Sequence, residues 1–95
     1  MRNNLLLRWT LAEKGFNSDI NFNGLSYHVQ TEDWGVHNPY LVSRVYFNGA
    51  VVKSIKTPYL EVLPEGFASD RKAIQMATQF QHQKILDLLV SGQLL

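Results

Sequence analysis

The sequence predicts an α+β fold of two layers, a roughly four-stranded antiparallel meander of two Asn-Gly hairpins with a C-terminal helix packed on one face. The dipeptides Asn23-Gly24 and Asn48-Gly49 each lie between runs of β-branched and aromatic residues. This pattern indicates hairpins, because a type I′ turn needs positive φ at both central residues. The chain after Pro64 has instead the spacing of an amphipathic helix.

The chain length of 95 residues is that of one domain. Only about 60–65% of the surface of such a chain can be buried on folding, so we expect modest stability. We divide the single domain 1–95 into a variable N-terminal element over 1–14, the antiparallel sheet over 15–60 and the C-terminal helix over 66–92.

Composition excludes several classes of protein. With no cysteine, the chain has no disulfide scaffold, no zinc ribbon and no thiol nucleophile. A net charge of +1 gives no field that would by itself attract nucleic acid or an acidic membrane. No apolar run approaches the roughly 20 residues of a membrane span, and residues 1–11 lack the cleavage site of a signal peptide. We therefore expect a cytoplasmic protein with no membrane insertion.

The N-terminal segment 4–14 is compatible with two structures. Its leucine, alanine and glutamate content favours a short helix, whereas residues 7–11 alternate as in a strand. Of the two, we prefer the helix.

The two turns also predict which residues face each other, because a two-residue loop fixes the register of a hairpin. In the first hairpin Asp19 is expected opposite His28, and in the second Arg44 opposite Lys53 and Val45 opposite Val52. Alternate residues then form a core face and a polar face. The core face is expected to carry Ile20, Phe22, Leu25, Tyr27, Val29, Val45, Phe47 and Val52, and the polar face Asp19, His28, Gln30, Glu32, Arg44, Tyr46, Lys53 and the apolar pair Val42 and Ile55.

The two hairpins are joined by a loop over residues 34–39, with Gly35 and Asn38-Pro39 as breakers. We expect Asp33 to accept backbone N–H bonds from this loop.

The C-terminal helix is expected to begin after an N-cap at Ser69 or Asp70 and to end before Gly92. On the side away from the sheet, Leu86 and Val90 are i, i+4 neighbours that could contact the N-terminal segment, a second copy of the chain or another protein. The stripe expected to face the sheet is Ile74, Ala77, Gln81, Ile85 and Leu88, flanked by Ala73, Phe80 and Leu89.

Two arrangements of polar residues are candidates for chemistry. The pair Asp19 and His28 could act as an acid–base dyad, but Ser26 would lie about 6.5 Å away along the strand, too far for a triad. A metal site of His28, Glu32 and His37 would have to span about 13 Å between the first two residues. We therefore expect no catalytic residue, no metal site and no cofactor.

The charges predicted on the polar face suggest a binding role. Like charges directly opposite each other cost stability, so Arg44 and Lys53 need an acidic neighbour. Glu32 on the adjacent strand is the internal candidate, and an acidic group of a partner, with Tyr46 beside it for stacking, is the alternative.

The sequence is therefore interpreted as a non-enzymatic protein–protein interaction module, an adaptor or scaffold, that binds another protein. Such a module could also self-associate as a homodimer, through Leu86 and Val90 or through an edge strand. One alternative is a nucleic-acid-binding domain with the helix, three strands and helix of double-stranded-RNA-binding domains, for which only Arg71 and Lys72 offer a basic cluster. Another is a small-ligand binder at the polar face. The candidate partner-binding residues are His28, Gln30, Glu32, Trp34, His37, Arg44, Tyr46 and Lys53.

Three short motifs carry a resemblance to a known group. They are the run Tyr27-His28-Val29-Gln30-Thr31-Glu32-Asp33 with Gly35, then Asn48-Gly49-Ala50, and Lys56-Thr57-Pro58-Tyr59. With a final helix rich in glutamine and histidine, they resemble a family of small bacterial cytoplasmic domains with no assigned activity. The resemblance covers about residues 15–92 and implies a bacterial cytoplasmic protein, but no chemistry.

Overall fold

The computed structural model describes the backbone of residues 6–12 and all of residues 15–95. The elements are β1 (Leu6–Ala12), β2 (Gly15–Phe22), β3 (Leu25–Asp33), β4 (Tyr40–Phe47), β5 (Ala50–Pro58), α1 (Tyr59–Val62) and α2 (Arg71–Val90). The strands form one antiparallel meander in the order β1-β2-β3-β4-β5, and the long helix α2 packs on one face, which confirms the predicted α+β fold.

The sheet has one strand more than the four predicted. Residues 6–12 form β1, with Leu7 opposite Ile20 and Arg8 opposite Asp19, so the helix preferred for segment 4–14 is wrong. A strand here pairs the backbone groups of β2 that would otherwise form the edge of the sheet, and this long-range pairing outweighs local helix propensity. Residues 4, 5, 13 and 14 of that segment lie outside the described residues. Within the described residues, five strands precede the long helix, an element order that differs from that of double-stranded-RNA-binding domains.

Both hairpin turns are confirmed. Asn23 and Gly24 have φ of 54° and 78°, and Asn48 and Gly49 have 53° and 80°, as a type I′ turn requires. In the first hairpin the pairs are as predicted, including Asp19 opposite His28 and Ile20 opposite Tyr27.

The second hairpin departs from the predicted register after two pairs. A β-bulge beside Val45 and Tyr46 places Val45 opposite Lys53 and Arg44 opposite Ser54, so the predicted pairs of Arg44 with Lys53 and of Val45 with Val52 are wrong. One extra residue reverses the faces of everything that follows on β5. Ile55 thereby turns toward α2 and packs against the main core cluster, which gives the bulge its energetic reason.

Helix α2 has the predicted N-cap and stop signal, but it spans Arg71–Val90 rather than the whole of 66–92. The side chain of Asp70 is the N-cap and accepts the Ala73 N–H at 2.9 Å. At the other end, Gly92 has a φ of 77° and its N–H donates to the Leu89 carbonyl. No helix in the described part of the chain is long and apolar enough to cross a membrane.

The face that α2 turns to the sheet differs from the predicted stripe. Leu86, predicted on the outer side, is 2% exposed and packs with Ile20, Val29 and Val45, while Phe80, predicted beside the core, is 83% exposed. Leu86 therefore has no surface to offer to a second copy, and Val90 is half-buried against the same cluster. The residues of α2 that are buried are Ile74, Thr78, Gln81, His82, Ile85, Leu86 and Leu89.

Candidate functional site

The face of the sheet opposite α2, here called the outer sheet face, carries most of the predicted binding residues. The strand registers place Gln30 between Asn17 and Arg44, and His28 between Asp19 and Tyr46. His37 lies in the exposed loop between β3 and β4. Lys53, as the partner of Val45, lies on the helix side of the sheet and is exposed there. Those that share the outer sheet face or border it are His28, Gln30, Glu32, Trp34, Arg44 and Tyr46.

Five side chains of this face form a compact group, here called the Trp34 cluster: Glu32, Trp34, Tyr40, Arg44 and Lys56. The Arg44 guanidinium lies 5.7 Å from the centre of the Trp34 ring. The Lys56 ammonium lies 5.2 Å from the same ring and 4.2 Å from that of Tyr40. Both cations are therefore within the range at which an aromatic face attracts a positive charge.

The carboxylate of the cluster is already engaged. Oε2 of Glu32 accepts from the Gln30 amide at 2.8 Å, and Oε1 accepts from the Trp34 indole at 3.3 Å. Arg44 approaches Oε1 only to 3.7 Å. Glu32 does neighbour Arg44 as predicted, and its carboxylate is shared between Arg44 and the two N–H donors.

Lys56 was missed by sequence reasoning because the regular hairpin register sends it to the helix side. The bulge reverses β5, so Lys56 lies opposite Val42 on the outer sheet face and Ile55 leaves that face. Val42, between Glu32 and Lys56, is buried although α2 packs on the other side. The Trp34 cluster thus covers the apolar side chain of Val42 on the outer sheet face.

The Asp33 side chain holds the loop after β3 by accepting a backbone N–H bond from it, as predicted. One oxygen of this carboxylate accepts the Gly35 N–H at 2.8 Å and also the hydroxyl of buried Tyr59. The backbone N–H of Trp34 donates to the backbone carbonyl of Tyr40 at 3.0 Å. Burial, followed by the hydrogen bond to Asp33, raises the pKa of Tyr59 above its ordinary value and keeps it a donor. These bonds orient Trp34 against the sheet.

The Asp19–His28 dyad exists but stands open to water. Nδ1 of His28 lies 2.9 Å from Asp19 and Nε2 lies 3.3 Å from the Asn17 amide oxygen. The Tyr46 ring lies 5.8 Å from the imidazole. Within residues 15–95, no hydrogen bond joins Ser26 to His28, in keeping with their spacing along the strand.

A serine does contact a histidine elsewhere, in the core between α2 and the sheet. Ser18 Oγ lies 2.8 Å from Nε2 of His82, and Thr31 Oγ1 lies 2.8 Å from Nδ1. Thr31 contacts Ser43 at 2.7 Å, and the Gln81 amide donates to Ser43 at 3.0 Å. We call this series the buried polar chain; its members are Ser18, His82, Thr31, Ser43 and Gln81, and all five side chains are buried.

Burial lowers the pKa of His82 from its usual 6.5 to about 4, and the charge of His28 acts in the same direction. The imidazole is therefore neutral at pH 7, and one ring nitrogen donates while the other accepts. Because Ser18 is also buried, no substrate can reach this pair. The buried polar chain can join the helix to three strands, but it cannot act on a substrate.

Among the described residues, no group of three or more histidine and carboxylate side chains could hold a metal ion.

No family model matches the chain, and neither does any curated protein or any solved structure with which it was compared.

Proposed function

We propose that the chain is a non-enzymatic adaptor module that binds another protein in the cytoplasm through the Trp34 cluster. The observation that carries this proposal is the position of Lys56. Its ammonium is held over two aromatic rings, and among residues 15–95 it forms no ion pair. A cation that lies over two rings and has no counter-charge among the described residues can receive one from a partner.

The charge of the cluster favours an acidic partner segment. The cluster contains two cations and one carboxylate, and that carboxylate already accepts two N–H groups. A glutamate or aspartate of the partner that approaches Trp34 would meet both cations, because Arg44 lies 5.7 Å and Lys56 5.2 Å from the centre of its ring. Tryptophan, tyrosine and arginine are also the residue types most often found at the energetic centres of protein interfaces.

The location of the serine–histidine contact supports a non-enzymatic function. Ser18 and His82 are closed in the core, and the exposed Asp19–His28 pair has no bonded nucleophile among the described residues. The cytoplasmic part of the proposal rests on the resemblance to small bacterial cytoplasmic domains.

The test is capture of a partner from a nuclease-treated extract of the native host. We expect the wild-type chain to retain a protein that the double variant Arg44→Glu/Lys56→Glu does not retain. Arg71→Glu changes an exposed cation at the start of α2 and serves as the matched control. Equal capture by the double variant and the control would remove the Trp34 cluster from the proposal.

A further inference from the structure

The side of α2 that faces away from the sheet carries an exposed apolar pair. Met76 is 61% exposed and Phe80 is 83% exposed, and the two residues are one helical turn apart. Their exposed neighbours Gln75, Gln79 and Gln83 are uncharged. The charged residue nearest to the pair on its C-terminal side is Lys84, one helical turn after Phe80. Methionine and aromatic residues are typical of the centre of a protein interface.

A charged residue lies at each end of the helix side that carries Met76 and Phe80. Lys72 lies one turn before Met76, and Asp87 lies one turn after Gln83. Steps of three and four residues keep all these positions on one side of a helix. We call this side the α2 outer stripe, which consists of Lys72, Met76, Gln79, Phe80, Gln83 and Asp87.

The α2 outer stripe is symmetric about its centre. The pairs 72 and 87, 76 and 83, and 79 and 80 all have the same midpoint, between Gln79 and Phe80. If two copies of α2 pack antiparallel about that point, Lys72 of each lies level with Asp87 of the other. Met76 then lies level with Gln83, and Phe80 lies beside Gln79 across the two-fold axis.

The charges of the stripe select this arrangement. One oxygen of Asp87 already accepts from Gln83 at 2.9 Å, which leaves the other for Lys72 of the second copy. Antiparallel packing pairs each basic end with an acidic end, whereas parallel packing would bring Lys72 against Lys72 and Asp87 against Asp87. The helix dipoles also oppose each other in the antiparallel pair.

We infer that the chain forms a two-fold homodimer through antiparallel contact of the α2 outer stripes. The stripe is about 22 Å long, so the contact falls at or below the low end of specific interfaces, about 1,200 Å² in total. We therefore expect a reversible dimer. Since α2 lies between the sheet and this contact, the two Trp34 clusters would face outward on opposite sides. Only this bivalent display depends on the proposed function; the dimer itself does not.

The test is sedimentation of the full chain over a wide range of concentration. We expect the mass to rise from 10.9 kDa toward twice that value. Phe80→Glu should weaken association roughly tenfold or more. Leu60→Glu replaces a residue that is 90% exposed but lies outside the stripe, and it should leave the mass unchanged.

Charge reversal tests the antiparallel alignment. Lys72→Asp and Asp87→Lys should each weaken the dimer, and the double variant should restore it, because its opposed charges are simply exchanged. A wild-type chain that stays monomeric at every concentration would overturn the inference. So would equal dissociation by Leu60→Glu and Phe80→Glu, or a double variant as weak as the single ones. Arg44→Glu/Lys56→Glu should leave the dimer intact, so failure of the proposed function is detected separately.

Discussion

The hydroxyl of Ser18 on β2 lies 2.8 Å from Nε2 of His82 on α2, with both side chains sealed from solvent. From this contact the buried polar chain continues through Thr31 and Ser43 to Gln81. An apolar interface would tolerate some sliding of the helix, but hydrogen bonds between fixed partners do not. The buried polar chain therefore determines which side of α2 faces the sheet. As a result, it also determines that Met76 and Phe80 lie on the opposite side.

The buried polar chain predicts a cost for the change Thr31→Val. Valine has a similar shape, but it leaves His82 Nδ1 and Ser43 with one partner fewer. We expect a loss of about 1–3 kcal/mol in the free energy of unfolding, measured with urea. Thr57→Val is the matched control on β5, where the hydroxyl makes no hydrogen bond to a described residue. Equal losses of unfolding free energy in both variants would contradict the role given to the buried polar chain.

His82 predicts a specific dependence of stability on pH. Its pKa is about 4 in the folded protein and about 6.5 in the unfolded chain, so the unfolded state binds the extra proton between these values. Stability should fall as pH decreases from about 6.5 to 4, by on the order of 3 kcal/mol from this group. The variant His82→Gln should lack this component, and identical pH profiles for the two proteins would refute it.

Gly15 lies where the structure has no room for even one methyl group. A Cβ at this residue would overlap the Thr31 carbonyl oxygen of the neighbouring strand. Gly15→Ala must therefore move β2 away from β3, and we expect a loss of about 3 kcal/mol in the free energy of unfolding. Asn21→Ala on the same strand adds no atom and is the control. A Gly15→Ala protein as stable as this control would show that the strands do not approach so closely.

The position of Lys56 predicts a signal in proton NMR spectra. Its ammonium lies over the rings of Tyr40 and Trp34, so the nearby methylene protons should resonate upfield of those of exposed lysines. Tyr40→Leu should remove most of this shift, while the methylene resonances of Lys72 should not move. Ordinary shifts for Lys56 in the wild-type protein would show that the cluster does not form in solution.

Local signals predicted much of the fold. Asn23-Gly24 and Asn48-Gly49 indicate both hairpins because their φ values are set within the turn itself. The Asp70 cap and the stop at Gly92 are equally local. These features need no knowledge of distant residues, and the structure confirms them.

The features that escaped prediction are decided by distant contacts. The bulge that reverses β5 depends on the burial of Ile55 under α2. The rotation of α2 that buries Leu86 and exposes Phe80 depends on polar residues of the sheet that bind His82. The strand β1 depends on the open edge of β2. The candidate site was accordingly found only in part: Glu32, Trp34 and Arg44 were predicted, and Tyr40 and Lys56 were not.

The central claim, that the Trp34 cluster receives an acidic partner, is tested most directly by cross-linking with a carbodiimide, which joins an amine to a carboxylate in contact with it. The captured complex should yield a peptide pair linked from Lys56 to an aspartate or glutamate of the partner. Lys56→Arg should retain capture, because the charge stays, and lose that cross-link, because guanidinium does not react. Cross-links at Lys53, Lys72 or Lys84 with none at Lys56 would contradict the account.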